Sequence, residues 1–243
     1  MKKLGTAIYY ECATSFKYIW IFYAVIFAVI ASIAAVIFMG TGSMEHVGTN
    51  AMEINSMVYV GILGALGFKE DFKMLIQNGF TRKYIFLATL SLFAFISGIL
   101  ALMDTLIGNV LHMVSKNYSS LFAGIYGYEH SVFINWLWLF FAYMSICCLI
   151  YLLILTINKL GKTAAVAGGV ILGMIIAVVL PVLFRFALPA DAARQLLKTL
   201  LKAAGFMADG SINFVYPLLI LFCLTGVFSF GAYCVIRKTE LKL

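Results

Sequence analysis

Apolar residues gather in six stretches of the chain, at about residues 18–39, 52–68, 84–110, 132–157, 164–188 and 214–236. A helix needs about 20 mostly apolar residues to cross a bilayer. Five stretches meet that length, and the second is shorter. None shows the strict alternation of apolar and polar positions that marks a transmembrane strand. The pattern predicts an all-α membrane protein with six transmembrane helices. No internal repeat divides it, so residues 1–243 read as one domain. Pro181 falls inside the fifth stretch.

Three segments between these stretches have helical periodicity but do not span. In residues 1–19, Leu4, Ile8, Cys12, Phe16 and Ile19 share one face, while Lys3, Thr6, Tyr10, Thr14 and Lys17 take the other. A 3.6-residue period with lysines on the polar side predicts a helix in the membrane interface, leading into the first span. The loop from Phe68 to Phe86 opens with Glu70 and Asp71, acids that suit a helix N-terminus. It continues with an apolar stripe of Phe72, Leu75, Ile76 and Phe80. Asn78-Gly79 supplies a C-terminal stop, and Thr81 is placed to cap the third span. In residues 191–204, Arg194, Lys198 and Lys202 face one way and Leu196, Leu197, Leu200 and Leu201 the other. Pro189 and Asp191 suit its start and Gly205 its end. With Pro181 and Arg185, this segment reads either as a re-entrant element or as a helix resting on the outer surface.

Composition sharpens the picture. The chain is 64% hydrophobic and 11% charged, with a mean hydropathy of +1.04. A soluble domain carries about a quarter charged residues, so an ordinary soluble enzyme and a disordered chain are excluded. Six spans leave no room for a sizeable soluble domain. The net charge is +7, but the basic residues form no dense patch, so nucleic acid is not an expected partner. Their distribution follows the positive-inside rule instead. With the N-terminus inside, 12 of the 17 basic residues fall on inner segments. That predicts a multi-pass membrane protein with both termini cytoplasmic. Lys2 and Lys3 lead into a mixed polar stretch, so no cleavable signal is expected. The five cysteines lack metal spacing and read as small buried hydrophobes.

Candidate chemistry is sparse. Glu45-His46 and Glu129-His130 suit zinc in ligand type, but adjacent loop residues carry no ligand geometry. No catalytic triad is present. The sequence contains no Gly-x-x-x-x-Gly-Lys-Ser/Thr, so it lacks that phosphate cradle. Gly61, Gly64 and Gly67, and likewise Gly168, Gly169 and Gly173, read as close-packing positions between helices. Asp104 and His112 share a face of the third span, and an acid within a span is a functional candidate by default. Asp104 lies about 20 residues after Tyr84, which places it near the outer boundary at about 1.5 Å per residue. Asn109 is its expected partner. Trp136, Trp138, Tyr118, Tyr126 and Tyr128 suit an outer aromatic belt.

The stretch from Glu70 to Phe86, with Phe72, Met74-Leu75, Asn78-Gly79 and Thr81-Arg82-Lys83, resembles the inner-loop signature of ABC-2 type exporter permeases. The predicted order of segments is similar to that family over nearly the whole chain. The resemblance implies an interfacial helix carrying Lys3, Phe16 and Lys17, and a coupling helix carrying Lys69, Glu70, Phe72, Lys73, Ile76 and Phe80. It implies a second permease, identical or related, and a separate ATPase subunit. ATP and Mg²⁺ belong to that subunit, and no cofactor is expected on this chain. Phe72, Ile76 and Phe80 would dock the ATPase, and the transport path would follow the permease seam. Nearly uncharged spans suit an amphipathic peptide, such as a phenol-soluble modulin or a lantibiotic, a lipid-like molecule or a drug. Arg185, Arg194 and Lys198 form an expected outer basic face acting on charged cargo. The alternatives are an ATP-independent secondary transporter, which needs paired charges within the spans, a membrane-embedded enzyme, and a non-transporting immunity or sensor subunit.

Overall fold

The computed structural model describes residues 2–41, 52–69, 75–77, 79–114, 118–161 and 189–237, with isolated positions between 163 and 177. Seven helices account for most of them: α1 Lys2–Thr41, α2 Glu53–Lys69, α3 Arg82–Val114, α4 Leu121–Tyr126, α5 Val132–Leu160, α6 Ala190–Ala203 and α7 Val215–Arg237. Four stretches are long and apolar enough to cross a membrane: Ile8–Gly40, Arg82–Met113, Val132–Leu160 and Val215–Arg237. Glu53–Gly67 is apolar but shorter. The expected fifth span, with Pro181 and Arg185, falls outside the described residues apart from a few isolated positions. The interfacial helix and first span expected as separate elements form one uninterrupted 40-residue helix.

α5 is the centre of the bundle, packed on α2, α3 and α7. It is apolar around its whole circumference, which suits burial rather than a surface position. The Ser131 side chain caps its start by accepting from the Phe133 N–H. Leu139, Tyr143, Cys147, Tyr151 and Leu155 run along it in the core, beside Phe93, Ile96 and Leu100 of α3. Cys147 and Cys148 are buried as expected, whereas Cys223 and Cys234 lie on the exposed face of α7.

The glycines of α2 divide by what they face. A methyl group on Gly64 would stand 2.7 Å from the Cys147 backbone carbonyl oxygen, and one on Gly67 would stand 3.2 Å from the Phe93 ring. Gly61 faces open space, as do Gly168 and Gly169. The close-packing expectation therefore applies to Gly64 and Gly67, meets no neighbour among the described residues at Gly61, Gly168 and Gly169, and at Gly173 lies outside them.

Arg82 donates to the Arg237 carbonyl at 2.9 Å. The starts of α1 and α3 and the ends of α2, α5 and α7 thus share one end of the bundle, with Arg82, Lys83, Lys159 and Arg237 near it. At the opposite end, α4 packs beside the α6–α7 connection. α6 closes at Gly205 (φ 96°), where the Gly205 N–H reaches the Lys202 carbonyl and the Phe206 N–H the Leu201 carbonyl. That pair of bonds is a Schellman motif, as Gly205 suggested. Phe206 and Ile212 then form an isolated antiparallel bridge. Two hydrogen bonds from Ser211 hold the carboxyl of the exposed Asp209 below its ordinary range.

The Gly64 contact yields a direct prediction. Gly64→Ala must push α2 and α5 apart and should lower stability by about 1–3 kcal/mol. Gly61→Ala should leave it unchanged or raised. Thermal unfolding in detergent micelles separates the two, and equal midpoints would remove the close-packing account.

Candidate functional site

The polar groups inside the bundle collect at one level, toward the end that carries α4. Asp104 of α3 is 2% exposed. The Tyr23 hydroxyl of α1 donates to its Oδ1 at 2.7 Å, and the Tyr143 hydroxyl of α5 donates to its Oδ2 at 2.6 Å. Both lengths suit hydroxyl groups donating to an ionised carboxylate. A buried carboxylate without donors would cost several kcal/mol, so the two tyrosines are what make Asp104 tolerable there. Asn109 is not the partner, because its amide donates to the Thr105 carbonyl one turn back.

A second carboxylate lies in the same place. Glu53, at the first turn of α2, is 1% exposed. Ser56 follows three residues later on the same helical face and is fully buried. This face of α2 meets the face of α3 that carries Asp104 and Gly108, one turn apart. With no side chain at Gly108, the Glu53 Oε1 comes within 3.9 Å of where a methyl group would stand. The Glu53 and Asp104 carboxylates are close enough to repel each other. The Glu53 oxygens, Ser56 Oγ, Thr105 Oγ1 and Tyr118 Oη are buried with no hydrogen-bond partner. Burial first, and then the Glu53 carboxylate, pushes the Tyr118 phenol up, so it stays a neutral hydroxyl. Sequence reasoning missed Glu53, which reads as a span boundary. The available signal was an acid three residues from a serine on an otherwise apolar helix.

His112, two turns beyond Asp104, stacks on Tyr128 with ring centres 3.5 Å apart. Its Nδ1 lies 3.3 Å from the Tyr118 carbonyl, so it borders the cluster rather than joining it. Tyr118 and Tyr126 are buried instead of forming an exposed belt. Tyr126 contacts Phe122, Phe206 and Phe214, donates to the Ala204 carbonyl at 2.8 Å, and its phenol is pushed up by burial. No group of three or more metal-ligating residues occurs among the described residues.

At the basic end, the loop between α2 and α3 is tied inward. Gly79 (φ 75°) donates to the Ile76 carbonyl and Phe80 to the Leu75 carbonyl. This is a second Schellman motif, at the stop expected from the sequence. Leu75 is buried in the core, with Ile76 and Phe80 packed against it. Ile76 and Phe80 therefore meet the bundle itself, and among the described residues of this turn Gln77 and Gly79 are exposed. Glu70, Phe72 and Lys73 and the side chain of Lys69 lie outside the described residues. Lys3 falls in α1 without a described side chain, while Phe16 and Lys17 are exposed. Arg194 and Lys198 are exposed on α6, and Arg185 lies outside the described residues.

A cleft of about 460 Å³ runs between the first half of α1 and the second half of α2. Tyr10, Glu11, Thr14 and Tyr18 form a polar wall, with Ile62, Leu63, Leu66 and Leu92 opposite. Its size is that of a small-molecule site. Comparison with family models, with curated proteins and with solved structures finds no match for this chain.

Removing either tyrosine hydroxyl tests the Asp104 arrangement. Tyr143→Phe and Tyr23→Phe keep the rings and should each cost about 1.5–3 kcal/mol, the range for hydrogen bonds to charged groups. Unfolding midpoints in micelles measure this. Unchanged midpoints in both variants would show that these bonds do not hold Asp104.

Proposed function

We propose that this chain is the membrane-spanning permease subunit of an ATP-driven exporter, moving an amphiphilic cargo out of the cell with a separate ATPase as its motor. The observation that carries this reading is the Leu75–Phe80 turn. A loop that only joined two spans would have no need to bury a leucine in the bundle core. Here Leu75 is 4% exposed and belongs to the core cluster, so a push on the turn acts on the core of the bundle. Gln77 is the exposed side chain offered for contact among the described residues, and Leu75, Ile76 and Phe80 transmit the load inward. This revises the role of Ile76 and Phe80 from docking the motor to anchoring the turn.

The remaining features agree with a permease. The polar-walled, apolar-floored cleft between α1 and α2 suits an amphipathic chain better than a sugar or an ion. The outward faces of α1 and α7 expose Val25, Phe27, Ile33, Leu219, Phe222 and Val227. Apolar faces of this extent fit lipid or a second permease. Cytoplasmic termini in a bacterial plasma membrane complete the proposal, because the basic end of the bundle is then the inner one.

An ion-driven carrier is a second reading, favoured by one observation: Asp104 has a second buried carboxylate beside it in Glu53. The energy source separates the two. Transport that stops when the ATPase is inactivated but survives an ionophore supports the permease, and the reverse supports the carrier.

Coupling is tested on Gln77. The chain should copurify with its ATPase, and Gln77→Trp should weaken the complex about tenfold, or about 1.4 kcal/mol. Val227→Trp on α7 should not. Equal recovery of complex from both variants would remove the turn as the docking point.

A further inference from the structure

We propose that Glu53 and Asp104 form a buried site for one monovalent cation at the junction of α1, α2, α3 and α5. Charge sets the requirement. Two carboxylates, 1% and 2% exposed, sit within repulsive range of each other. Among the described residues, no lysine or arginine pairs with either. Burying a single uncompensated charge costs several kcal/mol, and two like charges together cost more. The site therefore calls for a positive charge that the chain does not supply.

The hydrogen bonds show where it belongs. Asp104 has both oxygens engaged, by Tyr23 and Tyr143. Glu53 has neither oxygen engaged. The backbone N–H groups of Glu53 and Leu121 approach its carboxylate without closing a bond. Ser56 Oγ, beside Asp104 and Tyr23, and Tyr118 Oη, beside Glu53, are buried without a closed hydrogen bond, as is Thr105 Oγ1, next in sequence to Asp104. Every ligand is oxygen, the donor type that hard cations select. With Asp104 already held by two phenol donors, the one uncompensated charge is that of Glu53, which suits a singly charged ion. The groups facing Glu53 are Tyr23 from α1, Asp104 from α3, Tyr118 from the loop before α4 and Tyr143 from α5. His112 stands one layer beyond, against Tyr128. The cation is Na⁺ held by the oxygens, or a proton on the Glu53 carboxyl. The inference depends on neither energy source.

The full-length protein in lipid vesicles is measured two ways. Its unfolding midpoint is compared in NaCl and in choline chloride at equal ionic strength. Its infrared spectrum is searched for the carbonyl band of a protonated carboxyl group, which a carboxylate lacks. A midpoint raised by a few degrees in NaCl, and lost in Glu53→Gln, establishes sodium. A carboxyl band present without any sodium effect, and lost in Glu53→Gln, establishes the proton. Ser56→Ala gives an independent reading where Glu53→Gln fails to fold: it should weaken the sodium effect or shift the band. Wild-type protein with neither signature would overturn the proposal, as would a signature that survives both variants unchanged.

Discussion

An ionised side chain inside an apolar helix bundle is stable only where its neighbours replace the water it has lost, and Asp104 meets that requirement through two phenols from different helices. Tyr23 brings in α1, and Tyr143 brings in α5. α3 carries the carboxylate, so three of the four long helices are set in rotation and height by one group. Apolar packing alone does not do this. Ridges of leucine and phenylalanine slide past one another at low cost, whereas a hydroxyl on a carboxylate has one good distance. The polar cluster is the registration mark of the bundle, and the aromatic and aliphatic layers on either side pack to suit it.

The second carboxylate shows how one such mark creates another demand. Glu53 reaches the interior because α2 begins there and Gly108 leaves space beside it. Its oxygens close no hydrogen bond, in contrast to those of Asp104. The α2 glycines reinforce the arrangement from the other side. Gly64 lets α2 approach the Cys147 carbonyl of α5 closely, fixing against α5 the same helix that carries Glu53. The interior polarity and the tight backbone contact are thus linked through one short helix.

Much of this fold is legible in the sequence, because long apolar runs and glycine stops are local signals. The positions of α2, α3, α5 and α7 follow from hydropathy within a few residues, and Gly79 and Gly205 end their turns as their chemistry suggests. The pairings across the bundle are less legible. Tyr23 and Asp104 are 81 positions apart in sequence, and nothing local in either helix points to the other. Asn109 looked the better partner because it is near in sequence, yet helical geometry turns its amide back to its own backbone. The inward-facing stripe of Ile76 and Phe80 is a related case. Periodicity reveals that a helix has an apolar face, but whether that face meets the same chain or another depends on neighbours the pattern does not contain.

The length of α1 has one mechanical consequence. Its 40 residues make a rod about 60 Å long, and Tyr23, near the midpoint, pins it to Asp104. Below that point lies the cleft against α2, and above it the helix runs on beyond Tyr23 with an almost wholly exposed surface. A rod held near its middle is a lever. Its fulcrum is the Ile19–Tyr23 stretch, where Ile19 is buried and the Tyr23 hydroxyl reaches both the Asp104 carboxylate and the Leu100 carbonyl.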